Sequence, residues 1–265
     1  MLFQTTQRLV LCFAALVFVA APLQLLNAQT NPDKVLNSFM TADVVGVAYI
    51  DIENLDLEKS VEMLDKLGFR ETIRYQQLLD QIPDAKKDIA KLKVAGLSRA
   101  YALLRTSDIQ AMGTSFVMPV KEGSDPQQAI EAFKEVIAKL SGGNQPDYKV
   151  ESRDGALIAA ADAQFERLKS EKAEGAIDRP DIWAAIGNGS FGFAVFGDED
   201  SRRVVEELMP ELPSPFDDLN GELVADGTKW FGMSLKLDAV PELNFEIETS
   251  SEDAAKTYEL SLIHI

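Results

Sequence analysis

The sequence predicts an α+β fold, a mostly antiparallel sheet of hairpins with helices packed on it. Strand-like apolar runs come mostly as pairs joined by short turns, and not each between two helices as a doubly wound parallel sheet requires. Capped amphipathic segments lie between those pairs. The composition can fill a core: 46% of the 265 residues are hydrophobic and 14 are Phe, which separates the chain from disordered sequences.

The first strand is Val44 to Asp51 (VVGVAYID), β-branched and apolar as buried strands are. It leads to Asp56, placed to cap a helix that carries Val61, Leu64 and Leu67. Arg70 to Lys93 continues helically, and Pro83 predicts a split into two helices, because its ring removes a donor and crowds the preceding turn. Ser98 to Arg105 and Thr114 to Val120 read as a hairpin around residues 106–113. Ser124 to Leu140 carries the strongest helix signals. Asp125 caps it, Pro126 takes the first position, Gln128 closes a capping box, and Ile130, Phe133, Ile137 and Leu140 form one stripe.

Tyr148 to Ser152 and Ala156 to Ala161 flank Arg153-Asp154-Gly155, in which Asp-Gly supplies the positive φ angles of a tight hairpin. Phe165 to Lys169 and Ile182 to Ile186 read as short helices. Ser190 to Phe196 is another strand. It leads through Asp198, Glu199 and Asp200 into Val204, Val205, Leu208 and Met209 at helical spacing, closed by Pro210, Pro213 and Pro215. Lys229 to Leu237 and Leu243 to Thr249 make a last hairpin turned at residues 238–241, and Ser250 or Ser251 caps the next helix. A strand, an acidic cap and a helix thus recur near residues 51, 122, 198 and 250, an irregular and weak duplication.

The two ends read differently from the middle. Arg8 precedes the apolar run Leu9 to Ala21 (LVLCFAALVFVAA), succeeded by Pro22 and a polar exit, the pattern of a signal peptide over residues 1–28 cleaved after Ala28, with Leu26 three residues before the cut. The strictly apolar stretch is short for a hydrocarbon layer of about 30 Å, which disfavours an uncleaved anchor. At the other end, Leu260 to Ile265 (LSLIHI) is similar to the in-frame translation of a transposon-end adaptor used in sequencing libraries. The expectation is therefore an α+β globular region over residues 29–259, truncated, with an artefactual tail at residues 260–265 that interrupts the helix begun near Ser251.

Only one Cys and one His occur in the sequence, Cys12 within the apolar run and His264 within the tail. Residues 29–259 therefore hold neither, which excludes a disulfide framework, a thiol nucleophile, a Ser-His-Asp triad and an HExxH zinc site from that region. A metal site there would be built from carboxylates and would favour Ca²⁺, Mg²⁺ or Mn²⁺. The net charge of −17 repels phosphate backbones and anionic lipid, so no nucleic-acid partner is expected, nor membrane insertion once the signal is removed.

Four constellations invite a functional reading, and each has a plainer one. Gly187-Asn188-Gly189-Ser190-Phe191-Gly192 matches GxGxxG, but a helix precedes it and a strand comes after, the reverse of a dinucleotide site, so it reads as a helix-to-strand turn. Asp218, Asn220 and Glu222 are weak metal candidates in a loop that resembles a Ca²⁺ site yet lacks the strong ligands at its first and twelfth positions. Asp51, Glu53, Asp56 and Glu58 could supply an acid-base pair for glycoside cleavage, and capping explains them more simply. Trp183, Trp230, Phe231 and Tyr101 could stack on sugars, but most are expected in the core; adjacent Trp230 and Phe231 must face opposite sides of a sheet.

The segments TADVVGVAYIDIENLDLEKSVEML, FVMPVKEGSDPQQAIEAF and NFEIETSSEDAAKTYE give the chain a pattern that resembles uncharacterised exported bacterial proteins built of strand-helix modules. That resemblance implies a secreted or periplasmic location and the α+β class, and no activity, cofactor or catalytic residue. The leading functional expectation is an exported non-catalytic protein, structural or interaction-mediating in the cell envelope, with an envelope protein or polysaccharide as partner. Two alternatives stand beside it: an envelope binding module for glycan, peptide or Ca²⁺, and a carboxylate-dependent hydrolase. With no Cys or His in residues 29–259, the melting temperature is expected to be unchanged by a thiol reductant or a zinc-selective chelator; a fall of many degrees in differential scanning fluorimetry with either reagent contradicts this reading.

Overall fold

A computed structural model of the chain describes residues 34–41, 43–66, 73–105, 114–140, 148–170, 183, 186–187, 189–196, 225–237 and 242–263. In chain order the elements are α1 (Lys34–Asn37), β1 (Val44–Asp51), α2 (Leu57–Lys66), α3 (Ile73–Val94), β2 (Arg99–Arg105), β3 (Ser115–Pro119), α4 (Pro126–Leu140), β4 (Tyr148–Arg153), β5 (Ala156–Ala161), α5 (Asp162–Ser170), β6 (Phe191–Phe196), β7 (Thr228–Lys236), β8 (Glu242–Thr249) and α6 (Glu252–Ile263). The strands form one sheet in the order β4-β5-β3-β2-β1-β6-β7-β8. Every pairing is antiparallel, as the α+β reading predicts.

Helices cover both faces. On one, Leu36 and Met40 from the α1 region, Phe165 and Leu168 of α5, and Trp183 pack against Val47, Tyr49, Tyr101 and Trp230 of the sheet. On the other, Ala129, Ala132 and Phe133 of α4 pack with Leu97, Met118 and Leu157, joined by Ile89 and Leu92 of α3. Double coverage is why β1 and β5 read as unbroken apolar runs: residues 156–160 of β5 are all buried, a pattern more often met in parallel sheets.

The sheet is two meanders back to back. β1 and β6 lie side by side at the centre, with Val47 opposite Ala194. From them β2 and β3 step outward on one side and β7 and β8 on the other. An approximate two-fold axis normal to the sheet through the Val47–Ala194 pair relates these halves. It brings the Tyr49–Tyr101 pair onto the Phe196–Trp230 pair, and Tyr101 and Trp230 are both buried in the same core. A helix then succeeds each third strand. Each buries an Ala and, one turn later, an aromatic residue: Ala129 and Phe133 in α4, Ala254 and Tyr258 in α6. The recurrence near residues 122 and 250 follows this topology, while residue 198, the counterpart of residue 51, lies outside the described residues. The halves differ in one respect. After α4 the chain returns as the β4–β5 hairpin, and β5 takes the place outside β3.

Local signals set most boundaries. Asp56 Oδ1 accepts from the Glu58 and Lys59 amides at 3.1 and 3.2 Å, Asp125 Oδ1 from the Gln127 amide at 2.9 Å, and Ser251 Oγ from the Ala254 amide at 3.1 Å. Each satisfies a donor left over at a helix start. The β4–β5 turn has φ of 51° at Asp154 and 81° at Gly155, the left-handed pair of a type I′ turn. α3 ends in a Schellman motif, with the Leu97 amide bonded to the Leu92 carbonyl and the Gly96 amide to the Lys93 carbonyl, both at 3.0 Å, and Gly96 in the left-handed region.

Two boundaries depart from expectation. α3 is not split: its 22 residues run through Pro83. Pro83 is exposed, so the Leu79 carbonyl deprived of its amide partner lies on a side that water can reach, and Ile89 and Leu92 pack the segment beyond it into the α4 core. α6 is not interrupted at Leu260 and continues helically to Ile263, since no Gly or Pro intervenes and each residue added extends an existing helix for one hydrogen bond. The turns at residues 106–113 and 238–241, the helix expected at residues 204–209, and the signal peptide lie outside the described residues.

Ile158 is fully buried at the centre of β5. Ile158→Ala is expected to cost about 2–5 kcal/mol through lost transfer energy and the cavity left behind, read as a lower urea midpoint at unchanged slope.

Candidate functional site

A cluster of polar side chains, among them Tyr49, Asp51 and Ser190, lies where β1, β6 and β7 meet Gly187, Gly189 and Ser190. Trp183 and Ile186 are helical, the Gly187 amide closes on the Trp183 carbonyl at 2.8 Å, and Phe191 begins β6. The order is helix, turn, strand, as the sequence predicts, so the glycines do not open a helix toward a phosphate. Their role is close packing. A Cβ on Gly192 would sit 2.5 Å from the Ile186 carbonyl oxygen and 2.7 Å from the Tyr49 ring, and one on Gly189 would sit 2.6 Å from the Leu235 and Phe191 carbonyl oxygens.

Tyr49 fills the space this opens. Its ring is buried, stacks on Tyr101 with centroids 5.8 Å apart, and its hydroxyl donates to the Gly189 carbonyl. Burial, reinforced by the nearby Asp51 carboxylate, pushes the phenol well above its ordinary range. Ser190 is bolted down from three directions. Its amide donates to the Leu235 carbonyl at 2.7 Å, its carbonyl accepts from the Asp51 amide at 2.9 Å, and its hydroxyl accepts from the Leu237 amide at 3.3 Å.

The candidate carboxylates each have a structural partner. Asp51, buried, folds the β1–α2 turn by accepting from the Asn54 amide and from Asn54 Nδ2, both at 3.0 Å, with Arg99 Nε 4.0 Å away. Glu53 pairs with Lys121 at 2.6 Å, and that hydrogen bond holds its carboxyl below the usual range. Asp56 caps α2, and Glu58 pairs with Lys86. They are spent on separate partners and do not converge on one cleft. Among the described residues no three His, Cys, Asp or Glu side chains gather as a metal site would require. Asp218, Asn220 and Glu222, like Asp198, Glu199 and Asp200, lie outside the described residues.

The aromatic candidates are core, apart from Phe231. Trp183, Trp230 and Tyr101 are 3%, 2% and 4% exposed, so none offers a face to a sugar. Phe231 turns the opposite way from Trp230, as alternation demands, and packs on Phe245 with centroids 6.1 Å apart. A shallow groove of about 510 Å³ runs between α3 and α4 with Val94, 76% exposed, at its lip. The Lys91–Glu135 and Lys139–Asp88 ion pairs span the same two helices, so it reads as a packing seam.

One buried charge escaped the sequence reading. Arg105, 1% exposed, ends β2 with Nη2 donating to the Phe39 carbonyl at 3.2 Å and Nη1 3.7 Å from Asp43, which ties the α1 segment to the sheet. Its signal in the sequence was a charged residue closing an apolar strand, a position that ordinarily faces solvent. No protein-family model, curated protein or solved structure matches the chain.

Because the neutral phenol of Tyr49 is favoured in the folded chain, its contribution is intact below about pH 10, the unfolded value, and is lost as pH rises from there toward the raised folded value. Burial raises Tyr148 and Tyr258 as well. Urea-derived stability is expected to fall above about pH 10 and to fall less steeply in Tyr49→Phe; equal slopes in both proteins would rule out Tyr49 as a source.

Proposed function

We propose that the chain is an exported, non-catalytic protein of the cell envelope, secreted or periplasmic, with a structural or interaction-mediating role. The observation that supports the non-catalytic part is the fate of the carboxylates best placed for acid-base work: Asp51 folds a turn around Asn54, Asp56 caps a helix, and Glu53 and Glu58 are held by lysines. A hydrolase needs one carboxyl kept protonated and a second ionised across a shared cleft, and these four are committed elsewhere. Export rests on Arg8 and the apolar run after it. No described helix is long and apolar enough to cross a membrane.

Fractionation of expressing cells, with mass spectrometry of the N-terminus and a hydrolysis panel on the purified product, tests the reading. The expected product begins at Gln29 in the exported fraction and turns over no polysaccharide or ester. Retention of Met1 in the cytoplasm sinks export, and a hydrolytic activity abolished by Glu53→Gln sinks the non-catalytic assignment.

A further inference from the structure

The two edges of the sheet are not alike. Each is amphipathic in the same sense, but they carry different charge. β8 places Leu243, Phe245 and Ile247 toward the face that bears α3 and α4: Leu243 joins the cluster that holds Ile50 and Ile89, and Phe245 stacks on Phe231. Its other face shows Glu242, Asn244, Glu246 and Glu248, the last of them accepting from Trp230 Nε1 at 2.6 Å in the opposite core. β4 is built the same way. Tyr148 packs on Phe116 and Val150 joins the α4 core, while Lys149, Glu151 and Arg153 lie toward α5: Lys149 is 3.5 Å from Glu166, Glu151 2.7 Å from Lys169, and Arg153 Nη1 donates to the Leu168 carbonyl at 2.7 Å.

Among the described residues, nothing pairs with the outer edge of either strand. The two-fold that relates the halves makes β8 the counterpart of β3, whose outer edge is taken by the antiparallel strand β5. The alternation of β8 itself, Leu243, Phe245 and Ile247 against Glu242, Glu246 and Glu248, suits an antiparallel strand that is apolar on the α4 side and basic on the other. We propose that β8 of one copy pairs with β4 of a second copy, antiparallel, continuing the sheet from molecule to molecule. This rests on reading the protein as interaction-mediating.

One register satisfies both faces at once. Setting Lys149 opposite Glu246 puts Arg153 opposite Glu242 and Glu151 opposite Asn244 on the charged face. On the apolar face it puts Tyr148 opposite Ile247, Val150 opposite Phe245 and Ser152 opposite Leu243. Charge opposes one symmetric alternative: β8 against β8 in antiparallel register would set glutamates against glutamates, which is destabilising; the other, β4 against β4 about Val150, would set Lys149 opposite Glu151 and close a dimer that grows no further. Pairing β8 to β4 is heterologous, so it leaves a free edge at each end and makes an open series of multimers instead of a closed dimer. One strand pair buries less than the roughly 1,200 Å² of a standard stable interface, so the association is weak and concentration-dependent.

Sedimentation velocity on the purified chain, in the form the cell produces, from about 1 μM to about 1 mM tests it. The expected result is a growing series of species beyond the dimer. Glu246→Lys and Lys149→Glu should each weaken the association about fivefold, and the double variant should recover it, with circular dichroism checking that all three are folded. A monomer throughout, a dimer that grows no further, or association indifferent to both charge reversals overturns the proposal. A chain that stays monomeric while exported and crosslinked from β8 to a different envelope protein assigns the β8 seat to another strand: the interaction-mediating reading then stands and this one falls.

Discussion

The sheet is joined at its middle by β1 and β6, and that seam closes because Gly192 has no side chain. The Tyr49 ring lies where a Cβ at residue 192 would be, and its hydroxyl reaches the Gly189 carbonyl across the turn. Burying a ring of that size is worth about 2–3 kcal/mol, but the larger effect is geometric. Once Tyr49 is seated, Gly189 and Ser190 are pressed against Leu235, so the ends of β1, β6 and β7 are fixed together by one turn. Any side chain at residue 192 must push back either the ring or the Ile186 carbonyl, and the second is backbone. The constraint therefore sits in two glycines and a tyrosine that are 140 and 143 residues distant in sequence yet one van der Waals contact apart.

With the seam fixed, both faces must be covered, and several polar groups inside are answered by specific partners, while Ser115 Oγ, Gln164 Oε1 and Trp183 Nε1 are buried without a hydrogen bond among the described residues. The Trp230 indole donates to Glu248. The Arg105 guanidinium is held by the Phe39 carbonyl and Asp43, a buried charge tolerable only because it is bonded. Arg153 meets the last carbonyls of α5, where a cation also suits the negative end of the helix dipole. These contacts tie peripheral segments to the sheet, so the helix layers are held by directional bonds at their margins and by apolar packing at their centres.

What was legible in the sequence was local. β1 appears at its expected bounds because a run of seven residues, VVGVAYI, ends at a turn-forming Asp. The Asp154–Gly155 turn was legible because so few residues accept its backbone angles, and α4 because cap, first-turn proline and stripe agree. The order of the strands was not legible. Nothing in residues 44–51 announces that they will lie against residues 191–196, nor that β5 and not β4 will sit beside β3, since antiparallel partners are chosen by the whole core and not by either strand. Pro83 misled because its cost depends on which side of the helix it faces. The glycines at residues 189 and 192 were visible as a motif, but their purpose, to admit Tyr49, required the fold. The described candidate residues serve caps, turns and core.

The acidity acquires a structural meaning at the sheet edges. A net charge of −17 spread over a surface does little for specificity, and exposed ion pairs such as Lys87–Asp84 contribute little to stability. Glu242, Glu246 and Glu248, with Asn244 between, line one face of β8, whose outer edge has no partner among the described residues, and under the proposed pairing they act as a filter. A bare edge with an apolar face is the ordinary route to indiscriminate strand addition, and charged side chains along it are how natural sheets resist that. Glutamates on one face of β8 oppose a second β8 and any acidic strand, while Phe245 and Ile247 on the other face still reward a strand of matching alternation. Selection by repulsion on one face and attraction on the other is how an edge becomes specific, and it needs no pocket, metal or catalytic residue to operate.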